Sequence, residues 1–153
     1  MASRRKARIL AFQALYFWEA NCGPPVPLEE LVSFAWLEED KRASLDEDMA
    51  GFSRALIAGA IENIGAIDNM IKDHLENWDI TRLNRVDLAV LRMSAYTLMF
   101  QTEIPASIVI DEAIGICREF GTDESYKFVN GVLDSIRKAV LLNVQKHAEK
   151  ESG

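Results

Sequence analysis

A chain of 153 residues, 49% hydrophobic and 27% charged, is one ordinary globular domain with enough apolar residues to bury a core. It carries 17 Lys+Arg against 24 Asp+Glu, a formal net charge of -7. No apolar run reaches the roughly 18 residues of a membrane span, and no apolar stretch with a small-residue cleavage site follows the N-terminus, so neither a span nor a secretory signal is expected.

The first helix is predicted from about Arg4 to about Glu19, with Ser3 placed to cap it. GPPVP (23–27) reads as a loop, and an amphipathic helix fits Leu28 to about Leu37. The acidic residues that follow, with Lys41 and Arg42, read as a second loop. A long helix is predicted from about Asp46 to His74; Gly51, Gly59 and Gly65 inside it predict a kink or a close helix crossing. The pattern breaks near residues 77–79. Helix resumes from Arg82 to about Phe100, with Leu88, Leu91, Ala95 and Leu98 at three- and four-residue spacing. Pro105 opens the next helix and Gly121 closes it. Thr122 or Asp123 is placed to cap a last helix that includes Tyr126 to about Leu142. The composition then turns polar, so residues 1–142 are expected to form the domain and 143–153 a flexible tail. The sum is an all-α bundle of six or seven helices.

The first helix carries the informative chemistry. Stepped at about 100° per residue, Ala7, Leu10, Ala11, Ala14, Leu15 and Trp18 share one face, the expected core stripe. The opposite side mixes Arg5, Arg8, Ile9, Phe12, Gln13 and Tyr16. Four cations, Arg4, Arg5, Lys6 and Arg8, lie within the first eight residues. The plain structural reading is a helix sandwiched between neighbours behind a solvated basic start. Against it, cations at a helix N-terminus oppose the macrodipole, which favours acids there by about 0.3–1 kcal/mol. Phosphate binding does ask for the arrangement, because guanidinium groups fork onto phosphate oxygens. Aromatics beside them stack on unpaired bases, which favours single-stranded RNA over duplex. Net acidity does not oppose this, since mobile ions screen distant charge beyond about 8–10 Å.

The second informative stretch is FGTDESYKFVNGVLDSIR (120–137). Lys127, Phe128 and Asn130 read equally well as surface or packing residues, and Gly131 reads as a tight helix crossing. There is no phosphate loop, dinucleotide fingerprint or HExxH. His74 and His147 stand alone, and the pairs Asp111/Glu112 and Asp123/Glu124 read as solvated or capping acids. Cys22 and Cys117 form no CxxC pattern and suit a reducing compartment, with a bridge between them as the minor alternative. No cofactor, metal or catalytic residue is expected, and the chain is read as a non-enzyme.

ARILAFQALYFW (7–18), RVDLAVLRMSAYTLMF (85–100) and IPASIVIDEAIGICREFGTDESYKFVNGVLDSI (104–136) together resemble the NusB family of bacterial transcription antitermination factors. The likeness covers most of residues 3–140 and is weaker between 20 and 50. It implies two small helical subdomains and a cytoplasmic protein without catalytic activity. It implies binding to the boxA element of nascent ribosomal RNA together with NusE, a small-subunit ribosomal protein, in a complex with other Nus factors and RNA polymerase. Arg4, Arg5, Lys6, Arg8 and Gln13, with Lys127, Phe128 and Asn130, match the family's RNA contacts. Tyr16 and Asp87 match positions that face NusE. Glu124, where many relatives have Asp, and Tyr126, where His is common, depart from the pattern beside that RNA surface. Two other readings stay open: a fragment of an rRNA cytosine-C5 methyltransferase whose N-terminal domain is similar, and a self-associating module, a homodimer that hides the aromatic–basic face.

Overall fold

A computed structural model describes residues 4–20, 26–76 and 79–152. Ser3, Cys22, most of GPPVP and the break at 77–78 lie outside them. The described residues form eight α-helices and one short 3-10 turn, with no strand. The helices are α1 (Arg4–Ala20), α2 (Leu28–Val32), α3 (Glu39–Ala43), α4 (Glu47–Glu62), α5 (Ile64–Asp73), α6 (Arg85–Phe100), α7 (Ala106–Phe120) and α8 (Ser125–Ser152). None is long and apolar enough to cross a membrane.

The stripe predicted on α1 is the centre of the packing. Ala7, Leu10, Ala11, Ala14 and Leu15 are buried, and Trp18 packs against the same core. Small residues at three of these positions let α1 lie close to both α4 and α6. The buried Ser53 hydroxyl of α4 donates to the Ala7 carbonyl at 2.7 Å. On the other flank α6 sends buried Arg92 outward as a fork. Its Nε and Nη2 each donate to Asp68 of α5 at 2.9 Å, and its Nη1 donates to Glu19 of α1 at 2.9 Å. Burial alone would lower the pKa of Arg92, but the two carboxylates outweigh it and leave it raised. Helices α6, α7 and α8 pack on one another, and His74 at the end of α5 meets Ser135 of α8 at 2.6 Å.

Five local expectations change. Helix α2 stops at Val32 instead of running to Leu37 because Phe34 sits at φ 59, in the left-handed region. That reversal buries the Phe34 ring and lets Trp36 Nε1 donate to Leu31 O at 3.0 Å; Arg54 Nε caps the freed Val32 carbonyl at 3.0 Å. The expected loop at 38–43 contains α3, whose Glu39 and Asp40 open it and whose Lys41 and Arg42 close it, an order the helix dipole favours. The long helix divides at Asn63, where the side-chain Nδ2 donates to the Gly59 carbonyl at 2.8 Å beside the residue's own N–H, and the backbone leaves helical dihedrals. Helix α6 starts at Arg85, after a 3-10 turn at Ile80–Arg82, because Asn84 is its cap. Gly131 is not a crossing point: it is exposed, and a Cβ there would meet nothing within 4 Å. Beyond these, α8 continues past Leu142 to Ser152.

The close crossing belongs to Gly59, where a Cβ would overlap the Tyr96 ring and hydroxyl. Tyr96 is itself stacked on Phe100 with centroids 5.5 Å apart, so it has little room to yield. A Cβ at Gly51 would meet nothing within 4 Å. The two substitutions should therefore differ in sign. Urea unfolding should show Gly51→Ala stabilising by up to about 1 kcal/mol through helix propensity, and Gly59→Ala destabilising by about 1–3 kcal/mol through overpacking. Equal effects would contradict this assignment of the crossing.

Candidate nucleic-acid interface

The four cations of α1 do not share one environment. Arg4, Arg5 and Lys6 are exposed, while Arg8 is 8% exposed. Arg4 and Arg8, one turn apart, both lie against the Phe52 ring of α4, with Cζ 4.3 and 5.3 Å from its centroid. Burial lowers the pKa of Arg8; Glu112 of α7 acts to raise it and Arg4 to lower it. Arg5 lies across α7, where a Cβ on Gly115 would come within 2.6 Å of its Nη2. That glycine leaves the space the guanidinium occupies.

Further along, Phe12 of α1 meets Phe120 of α7 with centroids 5.3 Å apart. Arg5 over Gly115 and Phe12 against Phe120 thus bring two side chains of α1 onto α7, while the helix itself packs on α4 and α6. Phe12 is 3% exposed, so the expected aromatic–basic face is sorted: its ring is core and cannot stack on a base. Gln13 is half-buried and Tyr16 exposed.

Tyr16 lines a cleft of about 380 Å³ with Asn84, Arg85, Val86, Phe120, Gly121 and Thr122. Asn84 and Thr122 also border a second cleft of about 420 Å³, which continues past Asp87 to Ser125, Lys127 and Phe128. The first turns of α6 and α8 thus face one another across it. Gly121 closes α7, its N–H donating to Cys117 O at 2.8 Å, and its φ of -98 shows that the position is chosen for space. A Cβ there would stand 2.7 Å from that carbonyl oxygen. Lys127 and Asn130 are exposed and Phe128 is half-buried. Tyr126 carries the Arg118 guanidinium at 4.8 Å and Lys127 Nζ at 5.9 Å from its ring, and Glu124 borders the larger cleft. Of the two departures from the family pattern, Glu124 thus borders the cleft, and Tyr126 adjoins it through Lys127.

Asp87 is less open than its predicted role suggests. It is 7% exposed, pairs reciprocally with the side chain of its helix cap Asn84 (Asp87 N–H to Asn84 Oδ1 at 2.8 Å, Asn84 Nδ2 to Asp87 Oδ2 at 3.1 Å), and keeps Oδ1 buried without a partner of hydrogen-bond geometry. Burial raises its pKa, with the Ser125 and Asn84 side chains working against the rise. Cys117 is free and buried beneath, its thiol pushed up to about 12 by burial and by Asp87. Such a thiol is a core residue, not a nucleophile.

The structure brings Lys127, Phe128 and Asp87 to one cleft and Tyr16 to the adjoining one, and sets Arg4, Arg5, Lys6 and Arg8 at the far end of α1. Arg82, Asn84, Phe120 and Phe52 were not singled out from the sequence as site residues, and Thr122 was read only as a helix cap. Of the first four, Asn84 carried a local signal, a capping residue three positions before an acid.

The NusB family model matches residues 5–138. The transcription antitermination protein NusB of Treponema pallidum (strain Nichols) is 51% identical over 136 residues, covering 89% of this chain and 93% of its own. The chain belongs to the NusB family. NusB of T. maritima superposes with a TM-score of 0.78 at 38% identity, over 90% of this chain and 92% of that one. A crystal structure of the antitermination factors NusB and NusE in complex with double-stranded RNA matches with a TM-score of 0.77 at 31% identity, over 89% of this chain and 96% of that one. The all-α, non-enzymatic antitermination reading of the sequence stands with this membership.

The raised pKa of Asp87 has a definite sign. The folded chain holds this proton more tightly than the unfolded chain, so the contribution of Asp87 to stability falls as pH rises from the ordinary carboxylate range through the raised folded value. Unfolding free energies of the chain and of Asp87→Asn, measured in urea from about pH 4 to about pH 7, should give a difference (chain minus variant) that declines with pH. A difference that grows over that window would contradict the burial assigned to Asp87.

Proposed function

We propose that this member of the NusB family binds a single-stranded, boxA-type element of nascent ribosomal RNA together with NusE, and that in the cytoplasm the pair joins other Nus factors and RNA polymerase. The observation that carries the reading is the geometry of α1. Its exposed cationic end and its exposed Tyr16 lie on one rigid helix that sets Arg5 and Phe12 on α7, and the end of α7 leads into the Lys127–Phe128 cleft. The match to a NusB–NusE complex holding RNA supports the same pair of ligands for this chain.

In this reading Arg4, Arg5, Lys6 and Lys127 anchor phosphates, and Arg8 adds field from a buried position. Phe128 is the aromatic that stacks on a base, with Gln13 and Asn130 offering amide groups to base edges. Tyr16 and its cleft receive NusE, Asn84 and Thr122 form the wall that the two clefts share, and Asp87 lines the Lys127–Phe128 side.

The test uses exposed cations from both ends of the surface. Charge reversal at Arg8 would mix packing loss with RNA loss, so Arg5→Glu with Lys127→Glu is the cleaner variant. Fluorescence anisotropy with a labelled single-stranded boxA RNA at about 0.1 M salt should show at least about tenfold weaker binding, with an unchanged circular dichroism spectrum. Unaltered affinity in a folded variant would overturn the reading.

A further inference from the structure

Phe52 belongs to α4, yet its ring gathers two guanidinium groups of α1. Arg4 Cζ stands 4.3 Å and Arg8 Cζ 5.3 Å from the ring centroid, both within the roughly 6 Å over which a ring face attracts a cation. Local energetics oppose this gathering. Like charges one helical turn apart repel, and Arg4 acts to lower the pKa of Arg8. The helix N-terminus disfavours cations, and burying Arg8 desolvates it. Glu112 of α7 offsets part of this cost for Arg8, and the Phe52 ring is the contact that Arg4 and Arg8 share.

An acid at this place would also hold the two groups, but it would neutralise them and occupy their donors. A ring holds them through its quadrupole and leaves both charges intact, with the N–H edges of exposed Arg4 open to oxygen acceptors. Long side chains held in place before binding lose less rotamer freedom when a ligand arrives. Phe52 is half-buried and packs against the core from α4, so the platform itself is fixed.

We propose that Phe52 is a positioning residue for RNA, an aromatic platform that aims the exposed Arg4 at a phosphate of the RNA backbone and holds the buried Arg8 beside it as added positive field. The inference rests on the RNA-binding reading above and adds a residue that touches no RNA.

The experiment measures boxA RNA affinity as a function of salt for the full chain with Phe52→Leu, Phe52→Met and Phe52→Tyr, each checked by thermal unfolding. Phe52→Leu and Phe52→Met should bind about three- to tenfold more weakly, with a salt slope shallower by about one unit. Phe52→Tyr, which keeps the ring, should bind as the unsubstituted chain does. In an Arg4→Gln background the further loss from Phe52→Leu should shrink, because the ring then has one fewer cation to hold. Unchanged affinity and slope in both aliphatic variants, or an undiminished loss in the Arg4→Gln background, would overturn the proposal. The Arg5→Glu/Lys127→Glu variant is measured beside them. If it binds RNA normally, the RNA reading itself falls; if it fails while the Phe52 variants bind normally, only the platform falls.

Discussion

The apolar stripe of α1 is buried between α4 and α6, and the place of every candidate contact residue on that helix follows from this burial. Fully burying one large aliphatic side chain such as Leu15 contributes about 1.5–3 kcal/mol. The adverse dipole term for cations at the N-terminal end is about 0.3–1 kcal/mol. The stripe therefore holds the helix in place against the charge pattern at its start. The Arg92 fork to Asp68 and Glu19 adds direction, tying α1 to α5 and α6 near the end that carries Tyr16.

With α1 fixed, charge can be concentrated where the chain as a whole is acidic. The formal net charge of -7 says little about the surface near Arg4 and Arg5, since screening confines each charge to its neighbourhood. What governs that surface is how its cations are held. Arg4 and Arg8 rest on Phe52, and Arg5 lies in the space above Gly115. At the other end, small residues and caps shape the clefts: Gly121 allows a tight turn into α8, and Asn84 with Asp87 opens α6. Two adjoining clefts can then share one scaffold with only Asn84 and Thr122 in common.

The sequence made the helices and the core face of α1 legible, because an apolar stripe at helical spacing has one common cause. Pro105 and Gly121 bounded α7 for equally local reasons. The end of α2 and the break at Asn63 were not legible. The first depends on Phe34 being drawn into a core built by distant residues, the second on the Asn63 side chain joining its own N–H on the Gly59 carbonyl while its backbone leaves helical dihedrals. The same division holds at the surface. The cation cluster was readable as surface chemistry, though Arg8 is buried; Lys127 and Asn130 read equally well as surface or packing, and the structure exposes both. A helical wheel gives angles but not neighbours, so it could not tell that α7 covers Phe12 or that Phe52 and Glu112 enclose Arg8. Asp87 likewise matched a partner-facing position, and only the packing around it, with Ser125 of α8 close by, shows that it is 7% exposed.

Backbone amide shifts, followed by NMR as boxA RNA and then NusE are added, test the central claim directly. The account predicts that RNA perturbs residues 4–8 and 127–130, and that NusE perturbs Tyr16, Asn84–Asp87 and Phe120–Thr122. Perturbation centred instead on the α6–α7 corner around Thr102–Ala106, with the amides of α1 unmoved by either ligand, would contradict it.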